Sequence, residues 1–288
     1  MINNKLLNSL ILAALAVPGI ALAENDEFTS HKEGKHVIPV SEHTFTANVG
    51  FTSDYVFNGI SQSFRSPAVQ GGFDYSHSSG VYLGTWASNI SGNQYTNASM
   101  EWDMYGGYNG KVNDDLGYNV GLMSVFYPGG KASNTAPPVI YKKWDTTEVV
   151  AGATWKDLNI KYTHTLTDWY GINTGGFTPT MWADGSSTAD SAGGSKGSGY
   201  LEANYTLPIA EGSSATFHAG HQKIRNFSKL SYTDYKLAVN KTYAGFNVGL
   251  AYTTTNATDN TLYHVVGITG DDKKLSGGIV ALSASRSF

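Results

Sequence analysis

The chain has 288 residues, a formal net charge of −4 and no cysteine. Disulfides, thiol catalysis and cysteine-held metals are therefore excluded, and the lack of a basic surplus excludes nucleic acid as a partner. Charged residues make up only 15% of the chain, yet no stretch beyond residue 23 reaches the roughly twenty apolar residues of a helical membrane span.

The first element is an export signal. Lys5 precedes an apolar run over residues 6–16, interrupted only by Asn8 and Ser9, and Pro18 and Gly19 end it. Ala21 and Ala23 around Leu22 complete the three regions of a secretory signal peptide, so residues 1–23 are expected to be cleaved. Residues 24–43 are polar, contain His31, His36 and His43, and lack apolar periodicity. They read as a flexible periplasmic leader.

Residues 44–288 alternate with period two, the pattern of half-buried strands. The first strand, about 44–57, sets Phe45, Val49 and Phe51 against Thr46, Asn48 and Thr52. The second, 67–77, sets Val69, Phe73 and Tyr75 against Gln70 and Asp74. In the third, 81–89, Val81 and Leu83 compete with Tyr82 and Trp86 for the apolar face. The fourth, 99–109, is the clearest, with Met100, Trp102, Met104 and Tyr108 against Glu101 and Asp103. A helix would scatter those carboxylates around its surface. The fifth, 117–127, carries Val120 and Leu122, and the sixth, 146–155, opposes Val149 to Glu148. The seventh, 158–168, opposes Ile160 and Tyr162 to Lys161, and the eighth, 199–206, opposes Leu201 to Glu202. The ninth, 214–224, pairs Phe217 with His218, and the tenth, 232–240, opposes Leu237 to Asp234 and Lys236. The eleventh, 243–255, contains Val248 and Leu250, and the twelfth, 277–288, ends on Phe288.

Connection lengths give these strands a topology. Those after even-numbered strands are short, and those after odd-numbered strands are longer, above all 128–145 and 169–198. Tight turns at one end and long loops at the other predict an up-and-down antiparallel transmembrane β-barrel of about twelve strands, lying in the outer membrane among its lipids. Tyr75, Tyr108, Tyr118, Trp155 and Tyr205 fall near the short-turn ends, where an interfacial aromatic girdle sits.

Asp74, Glu101, Asp103, Glu148 and Glu202 share the inward parity, with Lys161, Lys236 and Arg225 available to neutralise them. They are expected either to line a pore for small polar solutes or to fill the interior as paired groups. His218 and His221 are three apart and point to opposite faces, so no metal is expected there. His164 falls on the lipid-facing parity, which calls for a neutral ring or a bulge. Without a recognisable nucleophile motif, no catalytic residue and no cofactor are expected. A loop-displaying structural or adhesion barrel, or a barrel hydrolase, are the alternatives. The Gly- and Ser-rich stretch 171–199, with Asp184 and Asp190, reads as a flexible outer loop, with an inward-folded constriction as the alternative.

The stretches Gly50-Phe51-Thr52-Ser53-Asp54-Tyr55-Val56-Phe57-Asn58-Gly59-Ile60-Ser61-Gln62, Trp86-Ala87-Ser88-Asn89-Ile90 and Glu101-Trp102-Asp103-Met104-Tyr105-Gly106-Gly107-Tyr108 resemble the TorF-like porin family, as does the close at Ser285-Arg286-Ser287-Phe288. The resemblance implies an outer-membrane channel and supplies no catalytic residue. The terminal Phe288 also resembles the signal read by the barrel-assembly machinery, although Arg286 stands where an aromatic residue is usual.

Overall fold

The computed structural model describes residues 41–133, 141–174, 189–258, 262–267 and 269–288. Residues 1–40, where the signal peptide and leader are expected, and Asp184 lie outside them.

Twelve strands close into one barrel in which each pairs with its sequence neighbours and the last returns to the first. They are β1 (His43–Thr52), β2 (Ala68–His77), β3 (Val81–Asn89), β4 (Met100–Lys111), β5 (Leu116–Phe126) and β6 (Thr146–Trp155). The second half is β7 (Leu158–Thr165), β8 (Gly199–Ala210), β9 (Ser213–Lys223), β10 (Tyr232–Tyr243), β11 (Phe246–Thr255) and β12 (Ile279–Ser287). Every pairing is antiparallel, and closure runs from Asn48 opposite Ser287 to Thr52 opposite Ser283. Closure leaves the wall no free edge, the condition for a sheet in hydrocarbon.

The wall is inverted relative to a soluble protein. Phe73, Leu83, Leu122, Leu237 and Leu282 stand exposed on its outer face, Phe73 at 69%, while Trp86, on the opposite parity of its strand, is 1% exposed. An apolar belt of this extent around a closed barrel is a lipid-facing surface. The third strand's ambiguity is thereby resolved, with Val81 and Leu83 outward and Trp86 inward. Tyr108, Tyr118, Trp155, Tyr205 and Tyr243 are exposed near the short-turn rim.

Several expectations are corrected. His43, expected in the leader, is the first residue of β1 and pairs with His77. The first strand leaves the wall at Thr52, and residues 56–61 form a tight hairpin in which Val56 opposes Ser61. Its turn residues Asn58 and Gly59 have φ of 45° and 80°, the left-handed pair that a two-residue hairpin requires. The eighth and tenth strands run on to Ala210 and Tyr243, tightening the turns that follow. The register shifts between Pro208 and Ala210, next to a residue that has no donor for the ladder. His164 needs no bulge. It pairs in register with Val149 and Gly199 near the outer end of β7, beside the Tyr162 hydroxyl at 3.3 Å. Arg286 lies over the rings of Phe246 and Phe288 at 5.3 and 5.4 Å, so its apolar stem follows the rim while its charge meets ring faces.

Candidate functional site: the lumen and its outer mouth

The inward face of the strands is polar, and large inward rings are admitted by glycines on the next strand. A Cβ at Gly84 would lie 2.2 Å from the Tyr105 ring, and one at Gly220 would lie 1.9 Å from the Tyr200 hydroxyl. Both rings then reach carboxylates. Tyr105 donates to Asp74 at 2.6 Å, and Tyr200 to Asp234 at 2.8 Å.

Two walls of different charge result. On the first, β4 places Glu101 and Asp103 two residues apart, and β6 places Glu148 beyond the intervening β5. Met123 and Val125 of β5 are the cross-strand partners of Glu148 and Asp103. All three carboxylates are buried, and Asp103 Oδ1 has no hydrogen-bond partner among the described residues.

The second wall is a mixed-charge network on β7 to β10. Lys161 Nζ lies 2.5 Å from Glu202 Oε1, and His218 lies 2.9 Å from Asp234 and 3.5 Å from the second oxygen of Glu202. Asn204 holds the other side of that ring at 2.8 Å. Lys236 of β10 stands directly opposite His218 of β9 in the same network. Buried ions arranged in this way must be paired or they would be too costly to keep. Arg225 takes no part in it. The loop after β9 carries it to the outer mouth, where its guanidinium donates to the Lys196 carbonyl at 3.2 Å.

The sequence-predicted Asp74, Glu101, Asp103, Glu148, Lys161, Glu202 and Lys236 thus all face inward. Asp234, His218, Tyr200, Tyr105 and Trp86 join them. Inward parity already set Asp234 and His218 on this face, whereas for Tyr200, Tyr105 and Trp86 it was obscured because aromatic rings point into the barrel as well as out.

Above the acidic wall the mouth is closed by loops. Each of the six long connections buries apolar side chains there, among them Tyr55, Tyr95, Tyr127, Trp169, Phe227 and Leu275. Tyr95 stacks on Tyr127 at 4.4 Å and meets Trp144 edge-on at 5.5 Å. Tyr55 and Tyr127 donate to the two oxygens of Glu101, each at 2.6 Å, and the Tyr95 hydroxyl donates to Gln62. The pocket of about 40 Å³ between these side chains holds no more than a few waters. Arg65 clasps the first loop to the last, donating to the carbonyls of Lys274 at 3.0 Å and Ser276 at 2.8 Å. Beneath it, burial raises the Asp54 carboxyl above the usual range, against hydrogen bonds from Ser61 and Ser63 and the charges of Arg65 and Lys273.

The Gly- and Ser-rich loop is not flexible throughout. Its described flanks pack into this mouth, with Ile172 and Ser195 fully buried, and Asp190 accepts from Ser228 of the neighbouring loop at 2.7 Å. As for catalysis, the hydroxyl bonded to His218 is that of Tyr200. His77 and His221 touch Ser79 and Thr233, at 2.8 and 2.9 Å, on the outer side of the wall.

A protein family described as "Bacterial protein of unknown function (Gcw_chp)" matches residues 37–276. A comparison with curated protein sequences finds no match. Among solved structures, the KdgM porin in complex with disordered oligogalacturonate is similar with a TM-score of 0.44 and 7% identity, over 85% of this chain and 99% of that one. The NanC porin gives 0.46 and 10%, over 84% and 98%. Pseudomonas aeruginosa OprD gives 0.34 and 11%, over 86% and 67%.

Proposed function

The chain belongs to the Gcw_chp family of bacterial proteins, and we propose that it is a narrow outer-membrane pore passing small polar solutes, with a bias toward cations. The observation that carries this reading is the inward charge. Asp74, Glu101, Asp103, Glu148, Glu202 and Asp234 outnumber Lys161 and Lys236 along the lumen, and the lipid belt leaves the lumen as the polar route across the membrane. A negative field focused in a low-dielectric tube concentrates cations and repels anions. Twelve strands lie between the filled eight-stranded barrels and the wide aqueous porins of sixteen or more. The stretches that resemble TorF-like porins support the same reading. Export would proceed through residues 1–23, and insertion through recognition of Phe288 by the barrel-assembly machinery.

In a salt gradient across a planar bilayer, the reversal potential is expected to report cation preference. Asp103→Asn with Glu148→Gln should reduce it, and less visibly at high ionic strength, where screening shortens the field. Anion preference in the parent protein would refute the assignment.

Orientation has its own test. A membrane-impermeant thiol reagent on intact cells should label Ser191→Cys and Thr258→Cys on the long-loop side, but not Asp114→Cys or Asp157→Cys in the short turns. The reverse pattern would invert the barrel.

The packed mouth favours a second reading, a closed barrel that acts through its outer loops. Purified protein that inserts into bilayers and never conducts, with or without an intact plug, would select it.

A further inference from the structure

His43 opens β1 and His77 closes β2, and the two are directly opposed across the strands. Side chains so paired share a face a few ångströms apart, and here the ring centroids are 5.0 Å apart. Nδ1 of His43 is engaged by the Tyr75 hydroxyl at 2.9 Å, and Nδ1 of His77 by Ser79 Oγ at 2.8 Å. That leaves Nε2 of each ring for another partner. The adjoining turn brings one, because the Ser78 amide donates to the Glu42 carbonyl at 2.8 Å. The Glu42 carboxylate is thereby held 3.7 Å from His77 Nε2. One donor atom from each of Glu42, His43 and His77 lies within 4.8 Å of the others.

We propose that Glu42, His43 and His77 form a binding site for a divalent transition-metal cation on the outer wall at the short-turn rim. Two imidazoles and a carboxylate suit Zn²⁺, Ni²⁺ or Cu²⁺ and not Ca²⁺ or Mg²⁺, which take all-oxygen shells. Metal–ligand bonds of about 2.0–2.1 Å need donors roughly 3.3 Å apart, and side-chain rotation at this exposed rim closes the present spacing. The Tyr75 hydroxyl on His43 Nδ1 supplies an outer-shell partner, and His77 releases the Ser79 amide that donates to its Nδ1 at 3.1 Å when its Nε2 takes the metal. The exposed side of the triad leaves room for water as the remaining ligand. Interfacial anchoring by aromatic side chains explains the neighbouring Phe45 and Tyr75, but it gives no reason for the converging Glu42.

The test is calorimetric titration of Zn²⁺ alone into untagged, EDTA-stripped full-length protein in detergent, with Co²⁺ absorption as a second readout. One equivalent should bind. His43→Ala and His77→Ala should each weaken binding at least tenfold and remove the Co²⁺ bands. Tyr75→Phe, which removes only the outer-shell hydroxyl of His43, should weaken it by about tenfold. His221→Ala, on the same outer wall near the other end, should leave it unchanged. Heat-modifiable gel migration reports whether each variant remains a folded barrel. No Zn²⁺ binding by the parent, or undiminished binding in both folded histidine variants, would overturn the site.

Discussion

Tyr127→Ala should raise single-channel conductance several-fold while leaving the barrel wall intact. Tyr127 is fully enclosed in the mouth, stacked on Tyr95 at 4.4 Å and edge-on to Tyr170 at 6.0 Å. Its hydroxyl holds one oxygen of Glu101 at 2.6 Å. Truncating a buried aromatic side chain of this size costs about 3–5 kcal/mol. The cost falls on the plug, because the loops in the mouth rest mainly on one another, whereas the strands are held by continuous ladders. Tyr127→Phe separates ring from hydroxyl. It keeps the stacking and loses one of two donors to Glu101, so its conductance should stay near the parent's. Bilayer recordings in which alanine and phenylalanine behave alike would show that the aromatic plug does not limit passage.

Val149→Arg should destabilise the barrel by about 2–4 kcal/mol if the residue lies near the bilayer midplane. Val149 and Leu122 are opposed on β6 and β5, and Val239 and Leu250 are opposed on β10 and β11. All four stand exposed on the outer wall. Arginine at any of them puts a guanidinium on the lipid-facing wall. Arginine in place of the inward Gln70 should cost much less, since it faces polar groups such as the Ser88 hydroxyl and not acyl chains. Denaturant titration in lipid vesicles measures the contrast. Equal tolerance at Val149, Leu122, Val239 and Leu250 would mean that no lipid belt exists.

The two expectations draw on different kinds of information, and so does the fold. Which residues of β4 face lipid was legible from Met100 to Asn109 alone, because side-chain direction in a strand alternates whatever its neighbours do. Strand number and the up-and-down order followed from the alternation of short and long connections, a pattern that needs only the positions of strand ends. The inward placement of Glu101, Asp103, Glu148 and Lys161 came from the same parity. Three matters required the tertiary structure. Glu101 is capped by Tyr55, which lies 46 positions earlier in the chain, and no local period encodes an encounter of that range. Residues 53–66 still alternate in part, yet they turn into the mouth, where Tyr55, Ile60 and Phe64 are buried against aromatic side chains of the other loops. His43 read as leader for a related reason. A strand's first residue has no periodic partner before it, and only the β1–β2 register places His43 opposite His77 with Glu42 beside them.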